Sequence, residues 1–403
     1  AGLSGEPMTR RVVITGMGMV TPLGVGVEKT WEAVCRGESG VREVTRFDAS
    51  GLPVRFAAQT QEPAPREEDG GDLKLRLALA ALDEAIEQSG PVAGDRTGVC
   101  MGSEIGRPSL DVLASRLSEM STPTPEEMAR MDPAAPTRLV AQVAGATGPQ
   151  STVSTACTSS SQAVGEGLLR VRRGDADVMI VGGVDVLVDA IMITGFAKLG
   201  ALSERNDDPQ AASRPFDVDR DGFVLGEGAG ILILEERERA LARGATILAE
   251  LSGYGCSCNA YRITDSPPDG RGAYQSMSAA LKDSGLSSDD IGYINAHGTS
   301  TPMNDPSEAK GILRTFSHPV PVSSTKSSMG HLVAACGAVE AIICVQAIRA
   351  QRLPPTINLD RPDPVCPLNH VANTAIEVRI DHAMTNAFGF GGSNGSLVLS
   401  RHD

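Results

Sequence analysis

The sequence predicts an α/β fold assembled from two related halves. Apolar runs typical of buried parallel strands, such as residues 176–183 (ADVMIVGG) and 230–234 (GILIL), alternate with amphipathic helices such as residues 73–89. A polar turn followed by a helix of small residues occurs at residues 157–173 and again at residues 330–352. This weak internal similarity indicates duplicated βαβ units, with the two helix starts at one cleft.

The individual elements follow from the same periodicities and from the turn residues between them. In chain order, the predicted strands are residues 11–16, 97–102, 151–155, 176–183, 230–234, 247–255 and 291–296, and the predicted helices are residues 30–35, 73–89, 162–173, 236–243 and 274–284. Polar, proline-rich segments at residues 48–72 and 107–136 predict a surface excursion and an irregular connection with one or two short helices.

Length and the pattern of breaks predict the domain organisation. A chain of 403 residues with 41% hydrophobic composition can bury a large core, and this length suits two domains or one double-sized unit. We therefore expect an N-terminal half over residues 8–246 and a C-terminal half over residues 247–403. Residues 1–7 precede Met8, the expected natural start, and are interpreted as a remnant of expression.

Charge and cysteine usage exclude several classes of protein. A net charge of −14 argues against general nucleic-acid binding and against adhesion to an anionic membrane. The eight cysteines lack the paired spacing of a zinc site, which favours reduced thiols in a cytoplasm and no metal. A long apolar run at residues 178–197 is interrupted by Asp185 and Asp189, so we interpret it as a buried strand and loop. No phosphate-binding glycine motif occurs, so no nucleotide cofactor is predicted.

Cys157 is the candidate nucleophile. It lies where the β-branched run at residues 151–155 gives way to the helical spacing of residues 162–173, which places it at a strand-to-helix turn. A thiol in the first turn of a helix faces unpaired backbone N–H groups and the positive end of the helix dipole, and both favour the thiolate. The alternative is that Cys157 is one of several small buried cysteines, but its position and small neighbours favour the nucleophile.

Two histidines are candidate partners of this thiol. His297 follows the predicted strand at residues 291–296, and the carboxyl ends of strands are where open α/β sheets bind ligands. His331 lies at a helix start, where the dipole lowers its pKa and favours a neutral imidazole that donates Nε2–H. The other histidines are interpreted as structural or surface residues: His318, His370, His382 and His402.

A glycine-rich loop and two charged residues complete the candidate site. Residues 386–394 (NAFGFGGSN) form a flexible loop whose backbone N–H groups can bind an oxyanion. Lys326 is either a plain surface charge or a member of the site. Glu340 lies amid apolar neighbours and could be the partner of Lys326 in a buried ion pair.

Several long motifs make the chain resemble the β-ketoacyl-acyl carrier protein synthases, in particular the synthase II group and the ketosynthases of type II polyketide assembly. The motifs are TACTSS at 155–160, ASRPFDVDRDGFVLGEGAG at 212–230, INAHGTSTPMND at 294–305, SSTKSSMGHLVAACGAVE at 323–340, PPTINLD at 354–360 and NAFGFGGSNGSL at 386–397. The order Cys, His, His is that of a decarboxylating condensing enzyme, whereas a thiolase carries a second catalytic cysteine.

The resemblance implies a thiolase-like fold, with duplicated βαβαβαββ halves in α-β-α-β-α layers that dimerise by strand pairing. It also implies a decarboxylative Claisen condensation. Cys157 accepts an acyl chain from the phosphopantetheine of an acyl carrier protein, with the N–H groups of Cys157 and Phe390 as oxyanion hole. His297 and His331 then hold the thioester oxygen of malonyl-acyl carrier protein while its enolate forms. No cofactor is implied beyond the phosphopantetheine of the carrier.

The same resemblance implies supporting roles for other residues. Lys326 and Glu340 orient the two histidines, and Phe390 gates the acyl pocket. A second mobile loop is implied at residues 259–270. The implied substrate-binding residues are Thr299 and Thr301, which contact the pantetheine arm, and two glycines of the Phe390 loop, Gly389 and Gly391.

The chain departs from the family pattern in its basic residues. The segment that carries docking residues in relatives reads PREEDGGDLKLR at residues 65–76, and Gly200 lies where an arginine is common, close to Lys198. The lysine motif reads KSSMGH at residues 326–331 in place of KSMTGH, which alters the hydrogen bonding near His331. We therefore expect the carrier protein to dock on a partner subunit or on other arginines, such as Arg107, Arg130 or Arg138.

The motifs point to two pathways. SGYGCSCNAYRIT at residues 252–264 is closer to polyketide ketosynthases, while TACTSS and HGTST are closer to fatty-acid synthase II. The mixture favours the ketosynthase of a reduced or polyene polyketide system, paired with a chain-length factor, over a homodimeric housekeeping enzyme of fatty-acid elongation. A non-catalytic chain-length subunit is disfavoured because Cys157, His297 and His331 are intact. A Cys-His hydrolase is disfavoured because two histidines and a lysine suit enolate formation better.

Overall fold

The computed structural model describes residues 10–106 and 110–402, so the predicted remnant at residues 1–7 and the candidate docking residue Arg107 lie outside the described residues. In chain order the strands are β1 (Val12–Thr21), β2 (Gly24–Val25), β3 (Arg42–Glu43), β4 (Phe56–Ala57), β5 (Thr97–Gly102), β6 (Gln150–Val153), β7 (Val178–Asp185), β8 (Gly228–Glu236), β9 (Ala249–Cys258), β10 (Tyr293–Asn295), β11 (Pro321–Ser323), β12 (Arg352–Leu353), β13 (Asn369–His370), β14 (Ile376–Glu377), β15 (His382–Phe388) and β16 (Ser393–Ser400). The helices are α1 (Val27–Cys35), α2 (Leu73–Ser89), α3 (Leu110–Glu119), α4 (Pro125–Met131), α5 (Ala135–Ala144), α6 (Ser159–Arg173), α7 (Ala190–Lys198), α8 (Arg237–Ala242), α9 (Arg271–Ser284), α10 (Asn304–Thr315), α11 (Lys326–Met329) and α12 (Cys336–Ala350).

The two halves of the chain form the same arrangement of five strands. The order is β1-β8-β7-β5-β6 in the first half and β9-β16-β15-β10-β11 in the second. Strand β5 is parallel to β6 and β7, as β10 is parallel to β11 and β15. The half-sheets join where β1 pairs with β9 through Val13–Glu250 and Ile14–Ala249. This mixed sheet with helices on both faces confirms the predicted α/β class.

The direction predicted for one strand is wrong. The sequence predicts a parallel strand at residues 230–234, but β8 runs antiparallel to both of its neighbours, β1 and β7. Helix α2 covers one face of β8, and α6 and α12 cover the other. A strand that is covered on both faces is apolar throughout whichever way it runs, so its composition does not reveal its direction.

Helices α6 and α12 form the layer between the two half-sheets. Helix α6 contacts β5 and β7 of the first half and β9 of the second, while α12 contacts β15 and β16 of the second half and β8 of the first. Residues Val333–Ala350 are the one stretch of the described chain that is long and apolar enough to cross a membrane, yet 89% of it is buried inside the protein. This burial explains why α12 has no polar face.

The two central helices begin with the same backbone turn. A short 3₁₀ turn, Ala156–Thr158, precedes α6, and Val333–Ala335 precedes α12. The first residue of each turn is left-handed, with φ of +52° at Ala156 and +47° at Val333. Both helices that follow are 15 residues long. The two helices match, as the sequence predicts, but the residue equivalent to Cys157 is Ala334 and not His331. His331 lies three residues before Ala334, ahead of the turn.

Candidate active site

Cys157 lies in the left-handed turn between β6 and α6. Strand β6 ends at Val153, which is paired with Gly102 at the end of the parallel strand β5. The turn therefore emerges at the carboxyl edge of the parallel strands, where α/β sheets bind ligands. Ala156 adopts the left-handed conformation, and Cys157 follows it in the 3₁₀ turn that leads into α6.

Burial keeps the Cys157 thiol protonated in the free protein. Loss of contact with water raises the pKa of this thiol to about 12, although the charge of Lys326 and the N–H groups of Phe390 and Cys157 lower it. The N–H groups at the turn favour the thiolate, as expected, but desolvation outweighs them, so the thiol stays protonated in the free protein. His331 Nε2 lies 3.0 Å from the sulfur.

A backbone contact determines the tautomer of His331. The N–H of Val333 donates to His331 Nδ1 at 3.2 Å, so the proton of the neutral ring is on Nε2, which faces the Cys157 sulfur. Burial, with the nearby Lys326 charge, holds the pKa of His331 well below its usual value. The ring is therefore a neutral donor of Nε2–H. Burial is the main cause of the lowered pKa of His331, whereas the sequence predicts that the helix dipole lowers it.

His297 follows β10, and a buried carboxylate holds its backbone. Glu308 accepts the N–H groups of His297 and Gly298, each at 2.8 Å. The His297 ring lies 5.3 Å from that of His331, nearly perpendicular to it, and its Nδ1 has no partner among the described residues. Burial, Lys326 and His331 hold the pKa of His297 well below its usual value.

Glu308 is a site residue that the motifs do not identify. It lies on the buried face of α10, together with Asp305 and Ile312. Two carboxylates three positions apart, on the same helix face as Ile312, are the signal that would have identified it. Burial raises the pKa of Glu308 to about 7, although the two backbone N–H groups lower it.

Lys326 and Glu340 form a buried ion pair between α11 and α12. Each side chain is 2% exposed, and Lys326 Nζ donates to Glu340 Oε1. Burial disfavours the ammonium, but the charge and hydrogen bond of Glu340, together with the charges of Cys336 and Glu308, outweigh it, and the pKa of Lys326 is raised. Burial also raises the pKa of Glu340 to about 7, against the pull of Lys326. Lys326 is therefore not a surface charge.

The glycine-rich loop contacts the Cys157 turn at Gly389. A Cβ on Gly389 would lie 2.9 Å from the Thr155 carbonyl oxygen and 3.4 Å from the Cys157 nitrogen, so a side chain would push the loop from the turn. Gly391 is left-handed, with φ of +81°. Its N–H donates to Ile263 O at 2.7 Å, which ties this loop to the segment at residues 259–270.

One cavity of about 270 Å³ contains the thiol and both imidazoles. Phenylalanines dominate its wall, where four of the eight in the chain lie: Phe196, Phe223, Phe388 and Phe390. Thr299 and Thr301 also line it, with their hydroxyls 2.9 Å apart. The cavity is thus apolar around the sulfur and polar at the threonines.

The Cys-His-His cluster does not fit a metal ion. Cys157 Sγ and one nitrogen each of His297 and His331 lie within 4.8 Å of one another, which is close enough for zinc ligands. The N–H of Val333, however, keeps the proton on the His331 nitrogen that faces the sulfur, so that atom has no lone pair to offer. The Lys326 charge adds repulsion for a cation.

The structure describes part of the candidate docking surface. Arg138 pairs with Asp132 at 2.6 Å. The side chain of Arg130 lies outside the described part of the chain, as does Arg107. Lys198 is exposed beside the mouth of the cavity, which its neighbours Leu199 and Gly200 line.

Comparisons with known proteins agree on one family. The family model described as beta-ketoacyl synthase, N-terminal domain, matches residues 9–240, and the corresponding C-terminal domain matches residues 248–360. The chain is 42% identical to a 3-oxoacyl-[acyl-carrier-protein] synthase 2 of Synechocystis sp., with 98% of each chain covered.

Two solved structures are similar over 98% of this chain and 100% of their own. The ishigamide ketosynthase/chain length factor has a TM-score of 0.89 at 34% identity. AntDE:AntF, a type II polyketide synthase acyl-carrier protein in complex with its ketosynthase, has a TM-score of 0.87 at 33% identity. These likenesses confirm the thiolase-like ketosynthase fold that the motifs imply.

Proposed function

The chain belongs to the β-ketoacyl synthase family, and from this premise we propose that it condenses malonyl-acyl carrier protein with an acyl chain held on Cys157. The observation that carries the proposal is the cluster of the Cys157 sulfur with the His297 and His331 rings in one cavity. One nucleophile and two neutral imidazoles suit an enzyme that accepts an acyl group and then stabilises an enolate. The activity is that of an acyltransferase.

In the first half-reaction, Cys157 Sγ attacks the thioester carbonyl of an acyl-acyl carrier protein. A new C–S bond forms to Cys157, the C–S bond to pantetheine breaks, and the proton of the Cys157 thiol leaves on the pantetheine thiol. The N–H groups of Cys157 and Phe390 lie close enough to the sulfur to lower its pKa. We propose that both donate to the oxyanion of the tetrahedral intermediate.

In the second half-reaction, His297 and His331 stabilise the enolate of the malonyl thioester. The bond to the malonyl carboxylate breaks, CO₂ leaves, and the electron pair forms the enolate. Its carbon attacks the acyl carbonyl on Cys157, and the sulfur leaves and regains a proton from solvent. A neutral imidazole whose N–H faces the enolate oxygen can donate to it, and burial with the Lys326 charge keeps both rings neutral.

The supporting residues act through the histidines and the pantetheine arm. We propose that the Lys326–Glu340 pair positions the imidazoles and opposes their protonation, since Lys326 lowers the pKa of both rings. Thr299 and Thr301 line the cavity with paired hydroxyls, which suits contacts with the amides of pantetheine. Gly389 and Gly391 keep the Phe390 loop close to the thiol.

The pathway we propose is a type II polyketide system that makes a reduced or polyene chain. Its support is the likeness to the type II polyketide synthase complex AntDE:AntF at 33% identity and to the ishigamide ketosynthase/chain length factor at 34% identity. Fatty-acid elongation is the alternative, and a specific observation favours it: identity to the 3-oxoacyl-[acyl-carrier-protein] synthase 2 of Synechocystis is higher, at 42%.

The partners proposed are an acyl carrier protein and a second subunit, either another copy of this chain or a chain-length factor. Strand β6 lies at an edge of the sheet and is partly exposed to solvent. An open strand edge suits strand pairing between subunits. All eight cysteines are free, which suits the cytoplasm as the compartment. We propose that no metal or redox cofactor takes part.

Intact-protein mass spectrometry tests the function. The purified chain is incubated with an acyl-acyl carrier protein and then with malonyl-acyl carrier protein, beside Cys157→Ala. Gain of the acyl mass by the wild type alone, followed by release of β-ketoacyl-acyl carrier protein, supports a self-sufficient condensing enzyme. Acylation only after a chain-length factor is added supports the heterodimer. An inert chain in both conditions, or hydrolysis of the acyl group by water, contradicts the proposal.

A further inference from the structure

A carboxylate that the mechanism above does not use braces the turn that carries the nucleophile. Glu104 Oε1 accepts the backbone N–H of Ala156 at 2.9 Å and the Ser159 hydroxyl at 3.2 Å. Its Oε2 accepts the Ser154 hydroxyl at 3.0 Å. One side chain therefore contacts the chain before and after Cys157.

The turn needs such a brace. A non-glycine residue with φ of +52°, as at Ala156, is strained, and it persists only where its surroundings hold it. This conformation places Cys157 so that its nitrogen lies against Gly389 of the glycine-rich loop. If the turn relaxed, the N–H groups of Cys157 and Phe390 would no longer converge on one oxygen.

The duplicated fold gives Glu104 a counterpart in the catalytic machinery. At the end of β5, Ser103 N donates to Val153 O at 3.1 Å, and at the end of β10, Ala296 N donates to Ser323 O at 2.8 Å. The next residue is Glu104 in the first half and His297 in the second. Equivalent strand ends therefore both deliver a polar side chain to the active site.

We propose that Glu104 is a positioning residue that fixes the Cys157 turn for acyl transfer and whose negative charge restrains the reactivity of the free thiol. The acyl-transfer part rests on the proposed function, whereas the reactivity part does not. Glu104 acts through Ala156 and Ser159, and neither the proposed steps nor the family resemblance assign it a role.

The charges around the thiol explain why Glu104 restrains its reactivity. The Glu104 charge raises the pKa of Cys157, whereas the Lys326 charge lowers it. Lys74 donates to the backbone oxygen of Glu104 and lies 3.5 Å from Asp185. Its charge therefore pairs with Asp185 and not with the Glu104 carboxylate. Of the titratable groups around the thiol, His297 and His331 lie within 4.8 Å of the sulfur, and Cys336 donates to the Cys157 carbonyl oxygen. Lys326 and Glu104 act on the thiol through their charges.

Three variants of the full chain test the proposal: Glu104→Gln, Glu104→Ala and, as a control, Glu32→Gln, which changes an exposed carboxylate on α1. Two rates are measured on each, namely acylation by an acyl-acyl carrier protein and carbamidomethylation of Cys157 by iodoacetamide between pH 6 and 10, read by peptide mass spectrometry. The fraction of folded protein is measured in parallel by circular dichroism, and rates are expressed per folded molecule.

We expect Glu104→Gln to acylate nearly as fast as the wild type, because the amide oxygen can still accept the Ala156 N–H. Its alkylation profile should move by about 0.5 pH unit towards lower pH, since one negative charge is lost beside the sulfur. Glu104→Ala should acylate about tenfold more slowly, because the turn loses its acceptor. Glu32→Gln should leave both rates unchanged.

The proposal is overturned if Glu104→Ala acylates at the wild-type rate per folded molecule, or if Glu104→Gln leaves the alkylation profile unmoved. A purely structural role would lower the folded fraction of Glu104→Ala without changing either rate. Should the wild type itself fail to accept an acyl group, the proposed function fails, and the alkylation profile still decides whether Glu104 restrains the thiol.

Discussion

The two halves of the molecule build the same turn and use it differently. In the first half the turn begins at left-handed Ala156 and carries Cys157, and in the second it begins at left-handed Val333 and carries Ala334. The second half instead directs its chemistry through His331, whose Nδ1 accepts the Val333 N–H at 3.2 Å. A single backbone design therefore holds the nucleophile in one copy and orients a hydrogen-bond donor in the other.

The halves also differ in how they treat charge. The fifth residue of α12 is Glu340, paired with Lys326 in the interior, whereas the fifth residue of α6 is Ala163, which is fully buried. The second half thus supplies the positive charge that lowers the pKa of the thiol, and the first half supplies the sulfur together with the opposing charge of Glu104. The equivalent helix position holds a buried carboxylate in one copy and a buried alanine in the other.

The largest effect is expected from moving the thiol between the copies. Cys157→Ala should abolish acylation, because no other group in the cavity can form the thioester. Cys157→Ala combined with Ala334→Cys should remain inactive, since the backbone turn matches but the oxyanion donors converge only at residue 157. Acyl mass on the double variant in intact-protein mass spectrometry would contradict this division of roles.

The second expected effect concerns the buried ion pair between Lys326 and Glu340. Lys326→Met leaves the Glu340 carboxylate buried without a partner, and we expect the free energy of unfolding to fall by about 3–5 kcal/mol. Adding Glu340→Gln should recover part of this loss, because the orphaned charge is removed. Urea denaturation measures both, with Lys310→Met, at an exposed position, as control. If Lys326→Met and the double variant with Glu340→Gln were equally stable, Glu340 would not carry an unpaired buried charge in Lys326→Met.

The third effect separates the two half-reactions. His331→Ala should slow the decarboxylation of malonyl-acyl carrier protein by about 10²–10³-fold, the usual cost of losing one oxyanion donor. Acylation of Cys157 should change less, because Cys157 and Phe390 supply the donors for that step. Release of labelled CO₂ and acyl mass gain measure the two steps, with His382→Ala as control. A larger loss in acylation than in decarboxylation would show that His331 acts mainly in acyl transfer, contrary to the role proposed for it.

The smallest effect is a pH dependence that distinguishes Glu308, which holds the backbone at His297, from Glu104, which holds the turn at Cys157. Glu308 is buried, and its folded pKa of about 7 lies above the unfolded value of 4.5. Between these values the folded state retains a proton that the unfolded state has released, so this group lowers stability as pH rises from about 4.5 to about 7.

We therefore expect Glu308→Gln to gain stability relative to the wild type, by about 3 kcal/mol, as pH rises from 4.5 to 8. Any constant cost of the lost carboxylate cancels, because the comparison is between pH values. Chemical denaturation at several pH values measures the difference. Glu104→Gln serves as the matched substitution at the equivalent strand end, and a flat difference for Glu308→Gln would show that this carboxylate is not held protonated.

Local patterns in the sequence identified most of the elements and the main candidates. The change from β-branched alternation to helical spacing located the turn at Cys157, and the apolar surroundings of Glu340 indicated a buried partner for Lys326. The direction predicted for β8 was wrong because a strand covered on both faces is apolar throughout, whether it runs parallel or antiparallel to its neighbours. Glu104 carries no local signal, since its three hydrogen bonds reach residues about fifty positions later in the chain.

By itself, the sequence determined that this protein is a duplicated α/β fold with a thiol and two histidines at the ends of its elements, because periodicity and turn residues are local properties of the chain. Only the tertiary structure decided the chemical states of those groups. Packing of both halves around one cavity removes water from Cys157, which raises its pKa to about 12, and a backbone N–H from the next turn fixes the proton of His331 on Nε2. Desolvation depends on atoms brought together from distant parts of the chain. The contact between Val333 and His331 spans only two residues, but it depends on the left-handed turn at Val333, and the residue types do not record that conformation.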